Sequence, residues 1–251
     1  MHSQHFIALV AAVTVCAALA LPGVANAWDD SKYPDFSGQW ARMGGGQWDP
    51  SKPPGRQQQP PLTAEYRAIW EASMADQVAG GLGNDPPSRC IPGGMPRMMT
   101  AIFPMELLIT PATIYVISDY AMPRRIFTDG RAFPATIEPS FLGYSIGTWI
   151  DENGDGRYDV LEVETRGLKS PRSYEDSGIP FHEDNEAVVK ERIYLDKTAP
   201  NMLIDEITSI DHALTQPWTV TKKYRRVQNP TWFQNNCSED NRHVPSAKKT
   251  I

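Results

Sequence analysis

Two neighbouring stretches decide the fold: Glu186-Ala-Val-Val-Lys-Glu-Arg-Ile-Tyr-Leu195 and Met202-Leu-Ile-Asp-Glu-Ile-Thr-Ser-Ile210. Each is rich in β-branched and aromatic residues and alternates apolar with polar positions, which is the period of a half-buried β-strand. The segment between them contains Asp, Pro and Asn, which favour turns. The two stretches therefore predict a β-hairpin.

The same pattern recurs along most of the chain after Met105. Runs of this kind, separated by Pro, Gly, Asp and Asn, lie at 106–118, 124–129, 143–150, 158–166 and 217–226, with an opening strand at 36–40. About eight short strands are enough to close an antiparallel barrel with room for one small ligand. The sequence predicts a mainly all-β, lipocalin-like β-barrel, with a β-sandwich as the alternative.

The part of the chain between the opening strand and Met105 has a different composition. Residues 43–61 are dominated by Gly, Pro and Gln, which predicts an extended surface loop. Residues 63–79 follow with apolar positions at helical spacing, Thr63 as a possible N-cap and Gly80 at the end. One N-terminal helix and the barrel form a single predicted domain over 28–251.

The first residues, 1–27, have the features of a signal peptide. An apolar run ends in the small-residue cleavage signal Ala25-Asn26-Ala27, so cleavage is expected after Ala27. The apolar run is short for a membrane span, so no integral membrane segment is predicted in the mature form. The predicted location is periplasmic or secreted. In such a compartment Cys90 and Cys237 are expected to form a disulfide.

The charge balance limits the classes of partner. The net charge is −6 and no basic cluster is present, which argues against nucleic-acid binding. The sequence predicts no organic cofactor, and it does not define the oligomeric state.

Residues 151–162 match the twelve-residue calcium loop of EF-hands. Such a loop needs oxygen ligands at positions 1, 3, 5, 7, 9 and 12 and glycine at position 6. The positions are filled by Asp151, Asn153, Asp155, Arg157 (through its backbone carbonyl), Asp159 and Glu162, with Gly156 at the turn. The flanking runs are strands, so we predict a structural Ca²⁺ site at a hairpin tip. The alternative is a metal-free Asp/Asn/Gly turn.

An ordered series of motifs resembles a large family of exported bacterial proteins of uncharacterised function. The resemblance covers about residues 88–241 and rests on Thr128-Asp-Gly-Arg131, Gly143-x-Ser-x-Gly-x-Trp149, Leu161-Glu-Val-Glu-Thr165 and Pro217-Trp-Thr219, among others. It implies a lipocalin-like β-barrel and no particular activity. Relatives usually have a tight turn where this chain carries the calcium loop.

The alternation of the two opening stretches places Glu191 and Glu206 among apolar residues. If residues 196–201 form the hairpin loop and Leu195 opposes Met202, the two glutamates face each other inside the barrel. Two opposed buried carboxylates require a shared proton, a cation or an arginine such as Arg131 or Arg125. This register is a hypothesis, because a slip of one residue would destroy it.

Three functions follow from these features. The first is an exported protein that binds a small, largely apolar molecule inside the barrel, with Glu164, Tyr144, Trp149 and Arg131 as candidate contacts. The second is a barrel enzyme that uses Glu191, Glu206 and His182 for proton transfer. The third is a calcium-dependent surface or interaction protein with a filled core. His182-Glu183-Asp184 and Asp211-His212 are interpreted as polar loop residues, not as metal ligands.

Overall fold

A computed structural model describes residues 29–43, 60–119, 121–175 and 177–232. Nine strands form one closed barrel in chain order, and β1 pairs with both β2 and β9. The strands are β1 Gln39–Arg42, β2 Met105–Ile109, β3 Thr113–Ser118, β4 Ala121–Phe127, β5 Tyr144–Ile150, β6 Val160–Arg166, β7 Val188–Asp196, β8 Ala199–Ile210 and β9 Trp218–Arg226. The predicted β-barrel is confirmed, and the sandwich alternative is wrong because the sheet closes on itself.

The additional strand comes from the run predicted at 106–118. That run contains Pro111, which lacks a backbone N–H and interrupts a strand. The chain turns there, and the hydroxyl of Thr110 donates to the backbone oxygen of Thr113 at 2.7 Å. One predicted strand is therefore two, β2 and β3, paired antiparallel.

One strand pair departs from the antiparallel pattern. Strands β4 and β5 are parallel, with Ile126 opposite Ser145 and Phe127 opposite Ile146. A parallel pair needs a connection long enough to bring the chain back along the sheet. Residues 128–143 supply this connection, so the barrel is mixed.

The predicted N-terminal helix lies at Ala64–Val78 (α1), and its first turn is capped by Thr63, whose hydroxyl oxygen accepts from the backbone N–H of Tyr66 at 3.4 Å. The helix buries Trp70 against residues of the loops before β7 and before β9. Short 3-10 helices lie at Asp30–Lys32 and Pro86–Arg89, and a second α-helix at Gly94–Thr100 (α2). None of the helices in the described parts of the chain is long and apolar enough to cross a membrane.

The inward faces of the strands pack into one apolar cluster. Trp40, Ile114, Ile126, Leu161, Ile193, Leu203 and Ile207 are among its fully buried members. Methionines of α2 join the same cluster, and the hydroxyl of Tyr224 in β9 donates to the backbone oxygen of Met99. Packed side chains therefore occupy the centre of the barrel.

Several sequence predictions fall on residues outside the described ranges. These are the signal peptide at 1–27, most of the loop at 43–61, and Cys237. Cys90 follows the second 3-10 helix with a left-handed backbone, φ 58°. The disulfide between Cys90 and Cys237 stays a prediction.

Candidate functional site

The register of the β7–β8 hairpin differs by one residue from the prediction. Glu191 lies opposite Ile207, and Glu206 lies opposite Arg192. Glu191 is buried inside the barrel, whereas Glu206 is half-buried on the outer face, where it accepts a hydrogen bond from the hydroxyl of Tyr194 at 2.8 Å. The predicted Glu191–Glu206 pair is therefore wrong, and with it their joint use in proton transfer.

The turn of the hairpin explains the slip. Strand pairing continues to Asp196 opposite Ala199, with a bulge after Leu195, so that Leu195 opposes Leu203 instead of Met202. The carboxylate of Asp196 accepts from the backbone N–H and the hydroxyl of Thr198, at 2.8 and 2.7 Å. This local turn is shorter than the predicted loop, and a one-residue shift reverses the face of every side chain that follows.

Glu191 forms a two-pronged ion pair with Arg124 of β4 inside the barrel. The two guanidinium Nη atoms lie 2.9 and 2.5 Å from the two carboxylate oxygens, and both side chains are at most 1% exposed. Arg124 also donates to Ser145 and Thr165, at 3.2 and 2.9 Å. The sequence predicted Arg131 or Arg125 as the arginine that neutralises the interior carboxylate. The structure places Arg124 there instead, because Arg124 is two residues from Ile126 and both side chains point into the barrel.

The second interior carboxylate is Asp205, which takes the inward position next to Glu206 because of the shifted register. Asp205 is fully buried, lies opposite Lys222 in β9, and neither carboxylate oxygen has a hydrogen-bond partner among the described residues. Two causes raise the pKa of Asp205 well above 3.8: burial, which is the larger, and repulsion from Glu191. The barrel interior therefore holds a carboxyl group that resists ionisation.

This raised pKa predicts a specific pH dependence for the variant Asp205→Asn. The folded wild type binds a proton at Asp205 that the unfolded chain has already released above pH 3.8, so this group lowers stability progressively as the pH rises from 3.8 toward the folded pKa. The variant has no such group. We expect the melting temperature of Asp205→Asn, relative to wild type, to increase with pH in thermal melts.

The matched control for this measurement is Glu206→Gln, the neighbouring carboxylate on the outer face. Its melting temperature relative to wild type should not increase with pH in the same way. A difference between Asp205→Asn and wild type that stays constant from pH 4 to pH 8 would show that Asp205 is not the proton-binding group.

The other candidate contacts do not converge on this interior. Glu164 lies on the outer face and pairs with Arg166 and Lys190, at 2.5 and 3.4 Å. Arg131 is exposed, pairs with Asp129 at 2.6 Å and donates weakly to the hydroxyl of Tyr144 at 3.4 Å. Trp149 packs on the aromatic rings of Tyr33, Phe36 and Tyr158. Arg131 and Tyr144 are thus neighbours, but Glu164 and Trp149 lie elsewhere.

The segment 151–159 forms the tip of the β5–β6 hairpin and wraps around Asp151. One carboxylate oxygen of Asp151 accepts from the backbone N–H of Gly154 and of Asp155, at 2.7 and 3.2 Å. The other oxygen accepts from the N–H of Gly156 at 2.8 Å. Gly156 has φ +86°, a conformation that favours glycine, as loop position 6 requires.

Glu162, at the twelfth loop position, lies within β6 opposite Thr148. Its side chain is on the outer face, with one oxygen 3.7 Å from Arg192. Arg192 also holds Glu152 at 2.6 Å. The last ligand predicted for Ca²⁺ therefore stands beside an arginine that already connects the loop to β7.

Two adjoining concave surfaces, which we call the outer groove, lie on the outside of the barrel. Their volumes are about 570 and 430 Å³, and Arg192 and Glu206 line both. The larger one is lined on one side by the loop residues Glu152, Asp155, Arg157 and Asp159, and on the other by β7, β8 and their turn. Charges of opposite sign alternate across the strands, because Arg192 pairs in register with both Glu162 and Glu206.

His182 lies away from the outer groove, in the loop before β7. Its imidazole ring contacts the phenol ring of Tyr66 in α1 and the imidazole ring of His212 in the loop before β9, with ring centroids 5.7 and 5.6 Å apart. Its Nδ1 lies 2.8 Å from the carboxylate of Asp184, which also contacts His212 Nδ1 at 2.6 Å and raises the pKa of His212. The structure thus brings the loop of His182 and Asp184 into contact with the loop of His212, although the two loops are far apart in the sequence.

Comparisons with protein-family models, with curated proteins and with solved structures found no match. The barrel implied by the family resemblance is present in the structure, and the family itself stays an expectation from the sequence motifs.

Proposed function

We propose that this chain is an exported binding protein that takes a small polar ligand in the outer groove, with Ca²⁺ in the 151–162 loop ordering one wall of that groove. The observation that carries the proposal is that the 151–162 loop forms part of the wall of the outer groove. Loop residues Glu152, Asp155, Arg157 and Asp159 line the larger part of the groove. Any cation that orders the loop therefore shapes the groove.

The chemistry of the groove supports a polar ligand instead of the apolar one expected from the sequence. Arg157, Arg192 and Lys197 supply positive charge, and the carboxylates of the loop and of Glu206 supply negative charge. Pockets of about 300–1,000 Å³ suit small molecules. A ligand carrying both an anionic and a cationic group, such as an amino acid or a short peptide, matches this lining.

The interior of the barrel gives additional support for an external site. Its inward-facing apolar side chains form one packed cluster, and two of its polar residues, Arg124 and Glu191, are paired with each other. A ligand inside would have to displace these contacts, whereas a ligand in the outer groove displaces water.

The loop geometry is compatible with Ca²⁺. Asp151 organises the backbone through three accepted hydrogen bonds, and Asn153 and Asp155 each accept from a backbone N–H two residues further on. Several carboxylates close together repel each other, so a cation should stabilise the arrangement. Export, predicted from residues 1–27, would place the loop where millimolar calcium affinity is sufficient.

Calorimetric titration of the metal-free protein with Ca²⁺ tests the calcium part of the proposal. We expect one saturable site that Asp151→Asn abolishes and Glu162→Gln weakens, because both remove anionic oxygen ligands. The matched control is Glu164→Gln, which removes a carboxylate two residues further along the same face of β6. Absence of binding up to millimolar Ca²⁺, or equal weakening by the control, would contradict the proposal.

A thermal-shift screen of amino acids and dipeptides, with and without Ca²⁺, tests the ligand part. A ligand that raises the melting temperature should bind about 10- to 100-fold more weakly to Arg192→Ala, since a charged hydrogen bond contributes about 1.5–3 kcal/mol. The exposed Arg125, on β4, provides the matched control variant Arg125→Ala. Hits that are equally affected by both variants would place the ligand outside the groove.

A further inference from the structure

The loops before β7 and before β9 bring together two histidines and one aspartate. His182 and Asp184 lie in the first loop and His212 in the second, and their ligand atoms all lie within 4.8 Å of one another. The Nδ1 atoms of the two histidines approach the same oxygen, Oδ2 of Asp184, at 2.8 and 2.6 Å. Two imidazole nitrogens and one carboxylate oxygen are a donor set that suits zinc and related divalent ions.

Nδ1 of His182 lies close to two groups of Asp184. It is 3.2 Å from the backbone N–H and 2.8 Å from the carboxylate. The unprotonated nitrogen has one lone pair. An ion that binds Nδ1 together with the carboxylate would therefore replace the contact between Nδ1 and the backbone N–H.

A buried ion pair holds the two loops in place. The side chains of Arg172 and Asp211 are at most 1% exposed, with Nη2 of Arg172 3.1 Å from Oδ2 of Asp211. Oδ1 of Asp211 accepts from the backbone N–H of His182 and of Ala213, both at 2.8 Å, and Arg172 donates to the backbone oxygen of His182 at 3.2 Å. Asp211 therefore fixes the backbone of both histidine-bearing loops relative to each other.

Helix α1 also supports the cluster. The backbone N–H of Thr63, at the start of the helix, donates to the oxygen of Ala213 at 2.9 Å, and Leu62 forms an isolated bridge with Leu214. These contacts place Tyr66 beside the ring of His182. The cluster is thus positioned by three separate segments of the chain: the two loops and helix α1.

We propose that His182, Asp184 and His212 form a binding site for a zinc-class divalent ion, with a fourth coordination position open to solvent. Around tetrahedral Zn²⁺ with bonds of about 2.0–2.1 Å, ligand atoms lie about 3.3 Å apart, so small side-chain rotations accommodate the ion. Three protein ligands with a free position are typical of zinc sites that bind water or an anionic ligand. This site is separate from the outer groove and from the predicted calcium loop, whose ligands are all oxygens.

The test is a titration of the full chain, freed of metal by a chelator, with Zn²⁺ at neutral pH. We expect one tight equivalent in the wild type, and a loss of affinity of at least about 100-fold in His212→Ala and in Asp184→Asn, since even supporting residues contribute 10- to 100-fold. The side chain of His212 is 65% exposed, so its removal should leave the fold intact. An unchanged melting temperature without Zn²⁺ verifies that both variants fold.

A control chain separates this site from other histidines. The variant His243→Ala, which replaces the one histidine outside the cluster that lies beyond the predicted signal peptide at 1–27, should bind Zn²⁺ like the wild type. Asp155→Asn, in the calcium loop, should do so as well. Failure of the wild type to bind Zn²⁺, retention of binding in His212→Ala, or loss of binding in either control would overturn the proposal.

Discussion

Replacement of Arg124 by methionine is expected to lower the free energy of unfolding by about 3–5 kcal/mol, because it leaves the carboxylate of Glu191 buried without its charged partner. Both side chains are at most 1% exposed, and the guanidinium contacts both carboxylate oxygens. Methionine fills a similar volume, so the loss reports mainly on charge. Urea unfolding monitored by circular dichroism measures the change.

The matched comparison is the double variant Arg124→Met with Glu191→Leu. Removing both charges leaves no unpaired ion, so we expect the double variant to regain most of the lost stability, as observed when buried ion pairs are replaced by apolar residues. If the single variant cost less than about 1 kcal/mol, or if the double variant were no more stable than the single, Arg124 would not be neutralising Glu191 inside the barrel.

The second large effect is expected for Asp211→Ala, also about 3–5 kcal/mol of lost stability, since the buried Arg172 would remain without a counter-charge. Burial lowers the pKa of Arg172, and the charge of Asp211 opposes that shift. The substitution also removes the acceptor for two backbone N–H groups, at His182 and Ala213. Thermal and urea unfolding both measure this loss.

Asp211→Ala has a second readout in Zn²⁺ affinity. Asp211 contacts no ligand atom of the His182–Asp184–His212 cluster in the described structure, but it fixes both loops, so we expect zinc binding to weaken about 10- to 100-fold in the fraction that remains folded. Asp184→Ala provides the converse control, because Asp184 is partly exposed on the surface and its removal should abolish zinc binding with little change in stability. Equal stability losses in the two variants would contradict the supporting role of Asp211.

The residues of β7 show how far alternation alone was informative. The sequence correctly placed Glu191 on the inward face with Val189 and Ile193, because all three share one parity and the strand is regular. In β8 both parities contain apolar residues: Met202, Ile204 and Ile210 on one face, Leu203 and Ile207 on the other. Alternation alone therefore does not show which face of β8 points inward. A hairpin loop over 196–201 predicts the wrong face.

The information that fixes the register of β8 is local. Asp196 followed by Thr198 is able to form a turn in which the aspartate carboxylate binds the backbone two residues later, as the structure shows. Such a turn shortens the hairpin loop and sets the register. This register places Asp205 inside the barrel with Glu191, and Glu206 outside.

The histidine cluster, in contrast, had no signal in the sequence. His182 and His212 are separated by the whole of β7 and β8, and neither lies in a spacing that predicts metal binding. They meet because the β7–β8 hairpin returns the chain to the same end of the barrel. The buried Arg172–Asp211 pair then fastens the two loops together.

The sequence by itself determined the mainly β architecture, the helix between the first two strands and the hairpin tip at 151–159, because these depend on local periodicity, proline, glycine and short-range hydrogen bonds. The tertiary structure decided which carboxylate enters the interior, which arginine neutralises it, and which distant side chains converge. These depend on strand register and barrel closure, where a shift of one residue reverses a face and contacts form between residues far apart in the chain.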